Sequence, residues 1–155
     1  MSKESLHSKP GHLIRRAQQI SVAIFHEECS EFDITPVQYA VLLLLEKNEG
    51  LDQLSLGNLA GVDRSTMANL AERLEQRELI KRMQSLSDKR QKLLYLTADG
   101  QQKISQLKLR VEKVQERILS PLSKDEAKQF LRLLEKMVDA SNGVSRAPLR
   151  LVESI

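Results

Sequence analysis

The sequence predicts a mainly α-helical, α+β fold in which one small β-hairpin accompanies a series of helices. Apolar residues recur at offsets of three and four over most of the 155 residues, as amphipathic helices require. Two runs of strand character, 79–83 and 92–96, flank a charged turn at 87–91. Aromatic residues make up only 3% of the chain, which argues against an all-β fold.

The stretch between Asp52 and Thr97 gives the most specific pattern. A short helix is expected to begin after Asp52, whose carboxylate can accept from open amides, and to end near Gly61, which readily becomes left-handed. A second helix is expected to begin after Asp63 and to continue to about Arg77. Helix, tight turn, helix and hairpin in this order predict a winged helix-turn-helix unit.

The second of these helices divides its residues between two faces. Its inward stripe is Met67, Leu70, Ala71 and Leu74. The candidate contact residues at its start and on its outer side are Arg64, Ser65, Thr66, Asn69 and Arg73. Hydroxyl, amide and guanidinium groups suit phosphates and base edges, so this helix is predicted to enter a DNA major groove. The plainer alternative is an ordinary solvated helix face.

The hairpin tip carries two cations next to one carboxylate: Asp88, Lys89 and Arg90. A narrow basic tip suits a minor groove, where the negative potential attracts arginine. We expect Asp88 to hold the Arg90 guanidinium in a charge-assisted pair, so that it is aimed before DNA arrives. A polar hairpin turn would have the same composition, and only the neighbouring helices favour the DNA-binding interpretation.

Two segments resemble the MarR family of winged helix-turn-helix transcription regulators: LAGVDRSTMANLAERLEQRELIKR at 59–82 and SDKRQKLLYLTADG at 87–100. The most specific marks of the resemblance are the Asp-x-Arg wing and the Leu-Thr-x-x-Gly exit that ends at Gly100. The order and lengths of the flanking helices extend it over essentially the whole chain.

Two positions depart from the family pattern. Gly57 stands where an alanine is more usual, which should slightly loosen the first helix of the motif. The same glycine leaves room for the second helix to cross closely. Glu78 stands where a glycine commonly precedes the first wing strand, so that corner must form without it.

The helices outside the motif carry further apolar stripes. We divide the single chain, 1–155, into dimerisation helices (10–34 and 98–141), a winged helix-turn-helix unit (35–97) and a tail (142–155). One stripe of coiled-coil spacing consists of Ile104, Leu107, Val111, Val114 and Ile118. A compact winged unit cannot cover all these stripes, so we expect an obligate homodimer that presents two recognition helices to a pseudo-palindromic operator. The tail is either disordered or an arm on the partner subunit.

Composition and the absence of certain motifs argue against several other classes of protein. The charge is +3 at pH 7 and the pI is near 9.1, so DNA binding depends on where the cations lie. A single cysteine, Cys29, and the lack of a long apolar run lead us to expect a cytoplasmic protein. His7, His12 and His26 do not form a metal-binding set, and no cofactor is expected. Without a nucleotide-binding or nucleophile motif, enzyme activity is not expected.

The family resemblance implies a small-molecule pocket where the dimerisation helices meet the winged unit, often for aromatic carboxylates or phenolic compounds. The segment GHLIRRAQQ resembles the subgroup that controls catabolism of aromatic acids, including hydroxycinnamates, benzoates and their thioesters. Arg16 borders the apolar stripe of the first helix, next to the buried second helix, and could clamp a carboxylate with help from His12. In the simpler alternative, Arg16 pairs with an acidic residue of the partner subunit.

Together these features predict a sequence-specific DNA-binding transcription regulator. We expect a repressor that leaves a pseudo-palindromic operator when a small aromatic acid or its thioester binds. The alternatives are a redox regulator that senses through Cys29, a constitutive DNA-organising protein without a ligand switch, and a winged module that binds protein. A structural role is favoured for Cys29, because no second cysteine is present and only His26 could help to ionise it.

Overall fold

The computed structural model describes residues 5–151, and it confirms the mainly α-helical fold with a small antiparallel sheet. The helices are α1 (Pro10–Cys29), α2 (Pro36–Lys47), α3 (Gln53–Ala60), α4 (Arg64–Gln76), α5 (Ala98–Leu119) and α6 (Lys124–Ser141). The strands are β1 (Leu51–Asp52), β2 (Ile80–Gln84) and β3 (Lys92–Leu96). Short 3₁₀ turns occupy Leu6–Ser8, Ser30–Phe32 and Asn142–Val144.

Side-chain N-caps begin five of the helices, and the two helix starts predicted after Asp52 and Asp63 are confirmed. Their side-chain oxygens accept hydrogen bonds from backbone amides of the first turn, which have no partner within the helix. Four of the caps are Thr35 for α2, Asp52 for α3, Asp63 for α4 and Thr97 for α5. The fifth, Ser123, forms a capping box with Glu126 at the start of α6.

Helices α2 and α5 form the centre of the core. From α2, Val41, Leu42 and Leu45 are fully buried. The buried apolar residues of α5 are Ile104, Leu107, Val111 and Val114, and this helix packs on α1 and α2 of the same chain. The expectation of a seam between two copies is therefore wrong for most of this stripe, because α1 covers it within one protomer.

Ion pairs fix α5 against the first two helices. The Lys108 ammonium lies 2.7 Å from the carboxylate of Glu46 on α2. Farther along α5, the Arg117 guanidinium lies 2.7 Å from each of the carboxylates of Glu27 and Glu28 on α1. Because these groups are largely solvated, the pairs define the relative positions of the helices more than they add stability.

Strand β3 is the middle strand of the sheet, in the order β1-β3-β2, and both pairings are antiparallel. The strand predicted at 92–96 is confirmed, and the one predicted at 79–83 is displaced by one residue to 80–84. The pairing of Leu51 with Leu94 adds β1, which the sequence did not predict. Two residues are too few to show the alternation by which a strand is recognised.

A close crossing of α3 and α4 shapes the helix-turn-helix. Gly61 ends α3 in the predicted left-handed conformation, with φ of 63°. A Cβ placed at Gly57 would lie 3.1 Å from the carbonyl oxygen of Val62 and 3.2 Å from Met67 Cγ. As expected, the absence of a side chain at Gly57 allows the two helices to cross this closely. The inward stripe of α4 is buried as predicted: Met67, Leu70, Ala71 and Leu74.

Glu78 forms the corner between α4 and β2. Its φ of 56° is left-handed, a conformation that glycine adopts more readily than glutamate. Two hydrogen bonds hold the corner: the amide of Leu79 donates to the Leu74 carbonyl, and the Thr97 hydroxyl donates to the Glu78 carbonyl. The corner therefore keeps the backbone conformation expected of a glycine although a larger residue occupies it.

Two helical surfaces of the protomer are apolar and exposed. On the first half of α1, Leu13, Ile14 and Ile20 are each about half exposed. Helix α6 has no buried residue. Its exposed apolar side chains are Phe130, Leu131, Leu133, Leu134, Met137 and Val138. Apolar surfaces of this extent are typical of association sites.

The segment that follows α6 folds back onto its own chain. The Asn142–Val144 turn leads into an extended stretch in which the amide of Arg150 donates to the Asn58 carbonyl of α3 at 2.9 Å. Residues 142–151 thus contact α3 of their own chain, and contact of this segment with a partner subunit stays a prediction. The remainder of the predicted tail, 152–155, lies outside the described residues.

The passage from β3 into α5 leaves no space for a side chain at position 100. A Cβ on Gly100 would lie 2.0 Å from the carbonyl oxygen of Leu79. We predict that Gly100→Ala destabilises the fold by about 1–3 kcal/mol, because the backbone must shift to relieve the overlap.

The free energy of unfolding, measured by chemical denaturation at a fixed protein concentration, tests this prediction. The matched control is Gln101→Ala at the next, exposed position of α5, which we expect to remain within about 0.5 kcal/mol of the unsubstituted protein. Equal stabilities for the two variants would contradict the packing at Gly100.

Candidate nucleic-acid interface

The outer face of α4 is polar and open to solvent. All five residues that the sequence suggested for this helix are exposed: Arg64, Ser65, Thr66, Asn69 and Arg73. The opposite stripe is buried, so α4 cannot rotate to present a different face. At 1.5 Å per residue, the polar face extends about 14 Å from Arg64 to Arg73. A single exposed helix of this length can lie in a DNA major groove.

Asp63 organises the first turn of α4. Its carboxylate accepts from the Thr66 amide at 3.0 Å, from the Thr66 hydroxyl at 2.7 Å and from the Ser65 hydroxyl at 2.8 Å. These hydrogen bonds, that of the Thr66 amide first, hold the pKa of Asp63 well below its usual range. Both hydroxyl protons are thus directed at Asp63, and the oxygens of Ser65 and Thr66 are left to accept from an external donor.

Ser85 organises the tip of the wing, a role that the sequence did not suggest. Its hydroxyl oxygen accepts from the Asp88 amide at 3.3 Å, and its own amide donates to the Gln91 carbonyl at 2.9 Å. Ser85 is buried, whereas Lys89 and Arg90 are exposed. The tip is therefore an ordered turn that projects two cations.

The predicted pair between Asp88 and the Arg90 guanidinium is wrong. The Asp88 carboxylate instead accepts from the backbone amide of Arg90 at 2.9 Å. With only one residue between them, the amide is closer to the carboxylate than the end of the long side chain, and a local turn results. Asp88 therefore shapes the turn, and the Arg90 guanidinium is left to an external anion.

Asp52 links the wing to the helix-turn-helix. Its carboxylate accepts from the amide and hydroxyl of Ser55, at 3.0 and 2.7 Å, and from the side-chain amide of Gln91 at 3.3 Å. Burial acts to raise the pKa of Asp52, but the hydrogen bonds from Ser55 outweigh it and lower the pKa. The wing is thus held to α3 by side chains as well as by strand pairing.

A groove of about 580 Å³ opens between α3, the start of α4 and the wing. Two of the suggested DNA contacts, Arg64 and Arg90, line it from opposite sides. The cations along the groove are Arg64, Arg82, Arg90, Lys92, Arg146 and Arg150, against the carboxylates of Asp52 and Asp63. Because six cations face only two carboxylates over residues 5–151, the groove keeps a net positive charge and is suited to anions.

Four of these cations were missed by the sequence reasoning. Arg82 and Lys92 lie on the two wing strands, and Arg146 and Arg150 follow α6. Arg82 is partly neutralised, because its Nε lies 3.1 Å from the Glu75 carboxylate. Arg82 and Lys92 could have been identified from the sequence, because they lie on the strands beside the predicted wing tip. Nothing in the spacing of Arg146 and Arg150 indicated where they lie.

Arg73 lies at the other end of α4. It borders a second groove, of about 550 Å³, which His26 and Cys29 also line. Nearby, Arg77 donates to the carbonyls of Phe32, at 3.3 Å, and Asp33. The end of α4 is thereby attached to the corner between α1 and α2.

The structure does not bring Arg16 and His12 together around a pocket within one protomer. Arg16 is exposed and donates to the side-chain carbonyl of Gln19 on its own helix at 2.9 Å. His12 lies 3.4 Å from a ring nitrogen of His7 and 3.5 Å from the guanidinium of Arg15. The expected position of Arg16 beside α2 is wrong for the protomer, because the first half of α1 extends beyond the core.

Cys29 is a buried residue of the core, with 2% of its surface exposed. Burial, followed by the negative charge of Glu28, raises the pKa of its thiol. Since the thiolate is the form that reacts with oxidants, this environment suits a structural cysteine.

Within residues 5–151, no group of three or more His, Cys, Asp or Glu side chains is arranged to hold a metal ion. Over the same residues, the helices are too short or too polar for any of them to cross a membrane.

The low pKa of Asp63 leads to a prediction about acid stability. The folded pKa lies below the unfolded value of about 4, so the contribution of the ionised group is complete above pH 4 and is lost as the pH falls below it. An asparagine at this position would still cap α4 but would not titrate. We therefore predict that Asp63→Asn has a flatter stability profile than the unsubstituted protein below pH 4.

Denaturant unfolding of both proteins between neutral pH and about pH 2.5 measures this difference. Far-ultraviolet circular dichroism at neutral pH serves as the control that α4 remains capped. Parallel profiles below pH 4 would show that the cap does not stabilise the ionised carboxylate.

Comparisons with known proteins agree with this geometry. The model of the MarR family matches residues 34–92. The transcriptional regulator HosA of Escherichia coli O111:H- is 31% identical over 136 residues, which cover 88% of this chain and 99% of HosA.

Three solved structures superpose over nearly their whole length. PcaV of Streptomyces coelicolor, in complex with its natural ligand, has a TM-score of 0.82 at 37% identity, over 91% of this chain and 99% of PcaV. The transcriptional repressor CouR, bound to a 23-mer DNA duplex, has a TM-score of 0.81 at 28% identity, over 89% of this chain and 98% of CouR. The structure of BpsR of Bordetella bronchiseptica concerns regulation of DNA binding by 6-hydroxynicotinic acid. It has a TM-score of 0.82 at 28% identity, over 87% of this chain and 96% of BpsR.

The family and the fold are those of transcription regulators and not of enzymes. The identity to HosA over almost all of its length, together with the winged helix-turn-helix geometry, shows that this chain belongs to the MarR family of DNA-binding transcription regulators.

Proposed function

We propose that this protein is a cytoplasmic, homodimeric repressor that binds a pseudo-palindromic operator and leaves it when a small aromatic acid or its thioester binds. The observation that carries the proposal is the exposed polar face of α4 next to an electropositive groove and an ordered cationic wing. In this arrangement α4 enters a major groove, and the wing, through Lys89 and Arg90, follows the adjacent minor groove.

The exposed apolar surfaces support the homodimer. The apolar side chains of α6 and of the first half of α1 are only partly covered within the protomer, whereas the stripe of α5 is already buried. A twofold pairing would cover both surfaces at once and would set two α4 helices at a fixed separation. Two half-sites about one helical turn apart would then match the two helices.

The ligand response follows from this geometry. A second protomer adds surfaces to the protruding half of α1, so the pocket around Arg16 and His12 would be completed by dimerisation. The Arg16 guanidinium can form a bidentate pair with a carboxylate. Regulation of BpsR by 6-hydroxynicotinic acid supports an aromatic acid as the class of effector. A ligand that favours another separation of the α4 helices would lower operator affinity by a coupling energy of about 1–3 kcal/mol.

The buried Cys29 does not favour the redox alternative. A sensor cysteine needs an accessible thiolate, whereas this thiol is covered and its pKa is raised by burial. A DNA-organising protein without a switch would have the same DNA-binding surface, so it differs only in its indifference to ligands.

The first prediction concerns the wing. Replacing Arg90 by alanine should weaken binding to specific and random duplexes alike, because an interaction with phosphate carries no sequence information. The slope of log K against log salt should become flatter by about 0.9 for each phosphate that is no longer neutralised, or about 1.8 per dimer. Fluorescence anisotropy with a duplex of about 30 base pairs, long enough for two half-sites, measures both quantities.

Lys124→Ala is the control for the removal of one positive charge. Lys124 begins α6, beyond the far end of α5, which carries the chain about 33 Å from the wing. We expect this variant to bind like the unsubstituted protein. If Arg90→Ala also retained the original affinity and salt slope, the wing assignment would be refuted.

The second prediction concerns the effector site. Arg16→Ala should keep operator affinity but lose release by the effector, because Arg16 lies outside the DNA-binding surface. The measurement titrates benzoates, hydroxycinnamates and 6-hydroxynicotinic acid into the complex of the protein with DNA from upstream of its own gene. Arg15→Ala, one residue away on α1, is the control and should respond like the unsubstituted protein.

Release that is unchanged in Arg16→Ala would exclude the proposed clamp. If none of these acids released the unsubstituted protein, the proposed class of effector would be wrong, and the DNA-organising alternative would gain support.

A further inference from the structure

The segment after α6, residues 142–151, is an ordered arm; we refer to it as the C-terminal arm. The Asn142 side chain clasps the backbone of Leu149, because its amide donates to the Leu149 carbonyl at 2.9 Å and its oxygen accepts from the Leu149 amide at 2.8 Å. The Ser145 hydroxyl oxygen accepts from the amide of Ala147 at 3.1 Å. These bonds close a loop within the arm and give it a defined shape.

The arm lies against the helix-turn-helix. The amide of Arg150 donates to the carbonyl of Asn58 on α3 at 2.9 Å. At the turn between α3 and α4, a Cβ on Gly61 would lie 3.6 Å from the carbonyl oxygen of Ala147, which is van der Waals distance. The arm therefore follows the surface of the very turn that precedes the recognition helix.

This position places two arginines in the electropositive groove. Arg146 and Arg150 line it together with Arg64 and Arg90, which the proposed function assigns to DNA contact. Among the described residues, the groove has six cations against only two carboxylates, Asp52 and Asp63, so its net charge is positive although Arg146 interacts with Asp63. The two arm arginines thus extend the cationic surface beyond the α4–wing pair.

We propose that the C-terminal arm is a third DNA-contacting element, in which Arg146 and Arg150 bind backbone phosphates of duplex DNA beside the α4 major-groove contact. The proposal rests on the proposed function, because it concerns the same duplex. Guanidinium groups suit phosphate oxygens, and interactions of this kind add affinity and position the protein without reading sequence.

The clasp at Asn142 makes this interaction more effective. A disordered basic tail would have to be ordered when DNA binds, and the cost in chain entropy would reduce its contribution. In the observed arm the backbone is already fixed at Leu149 and Arg150, so only the two long side chains are ordered on binding.

The test compares the full-length protein with the double variant Arg146→Ala/Arg150→Ala. Binding to a random-sequence duplex of about 30 base pairs is followed by fluorescence anisotropy over a range of salt concentrations. We expect the double variant to bind at least about tenfold more weakly, since that is the loss expected for even one hydrogen bond to a charged group. We also expect a salt slope that is flatter by about 3.6, because each protomer would lose two phosphate contacts and a dimer four.

The control is Lys124→Ala/Lys128→Ala, which removes the same charge at the start of α6, the end away from the arm, and should leave both quantities unchanged. A second variant, Asn142→Ala, keeps both arginines but opens the clasp. It should weaken binding in the same direction by a smaller factor, because the arm would then have to be ordered on DNA.

Three outcomes would overturn the inference. If the double variant bound DNA like the unsubstituted protein while Arg90→Ala still bound more weakly, the arm would not contact DNA, and the proposed function would stand. If removal of the arm arginines tightened binding, the arm would cover the site instead of extending it. If the unsubstituted protein bound no duplex at low salt, the proposed function itself would fail and the inference with it.

Discussion

The close crossing of α3 and α4 determines which side of α4 can meet a ligand. Gly57 has no side chain at the closest point, so the backbone of α3 approaches Met67 and the turn at Val62 directly. Rotation of α4 would expose its four buried apolar residues, at a cost of about 1.5–3 kcal/mol for each of the larger side chains. The polar face is therefore fixed towards solvent, and Asp52 sets the wing beside it.

The apolar stripes of the helices differ in how far the protomer itself covers them. The stripe of α5 is covered by α1, and the ion pairs of Arg117 with Glu27 and Glu28 hold these two helices in register, while Lys108 pairs with Glu46 of α2. Helix α6 carries a comparable stripe but contacts little of its own chain besides the turn that follows it. The apolar surface that the protomer leaves exposed is thus α6 with the protruding half of α1, a smaller set than the stripes that the sequence suggested.

Features set by local chemistry could be predicted from the sequence, and features set by long-range packing could not. The five N-caps, the left-handed Gly61 and the buried stripe of α4 depend on neighbouring residues. The two-residue β1 and the fold-back of the arm onto α3 depend on distant partners.

In the candidate site, too, the residue types could be predicted from the sequence but their three-dimensional contacts could not. Asp88 and Arg90 were identified as wing residues, but their geometry was misjudged because a backbone amide competed for the carboxylate. The periodicity of α1 identified a stripe, but it gave no indication that α1 covers α5 and leaves Arg16 exposed.

In the proposed function, two copies of this chain bind one duplex through α4 and the wing. Sedimentation velocity of the protein alone, and with a duplex of about 30 base pairs at low ionic strength, tests it most directly. We expect the protein to be a dimer in the absence of DNA and to form a complex of one dimer per duplex in its presence. A stable monomer that does not associate with the duplex would contradict it.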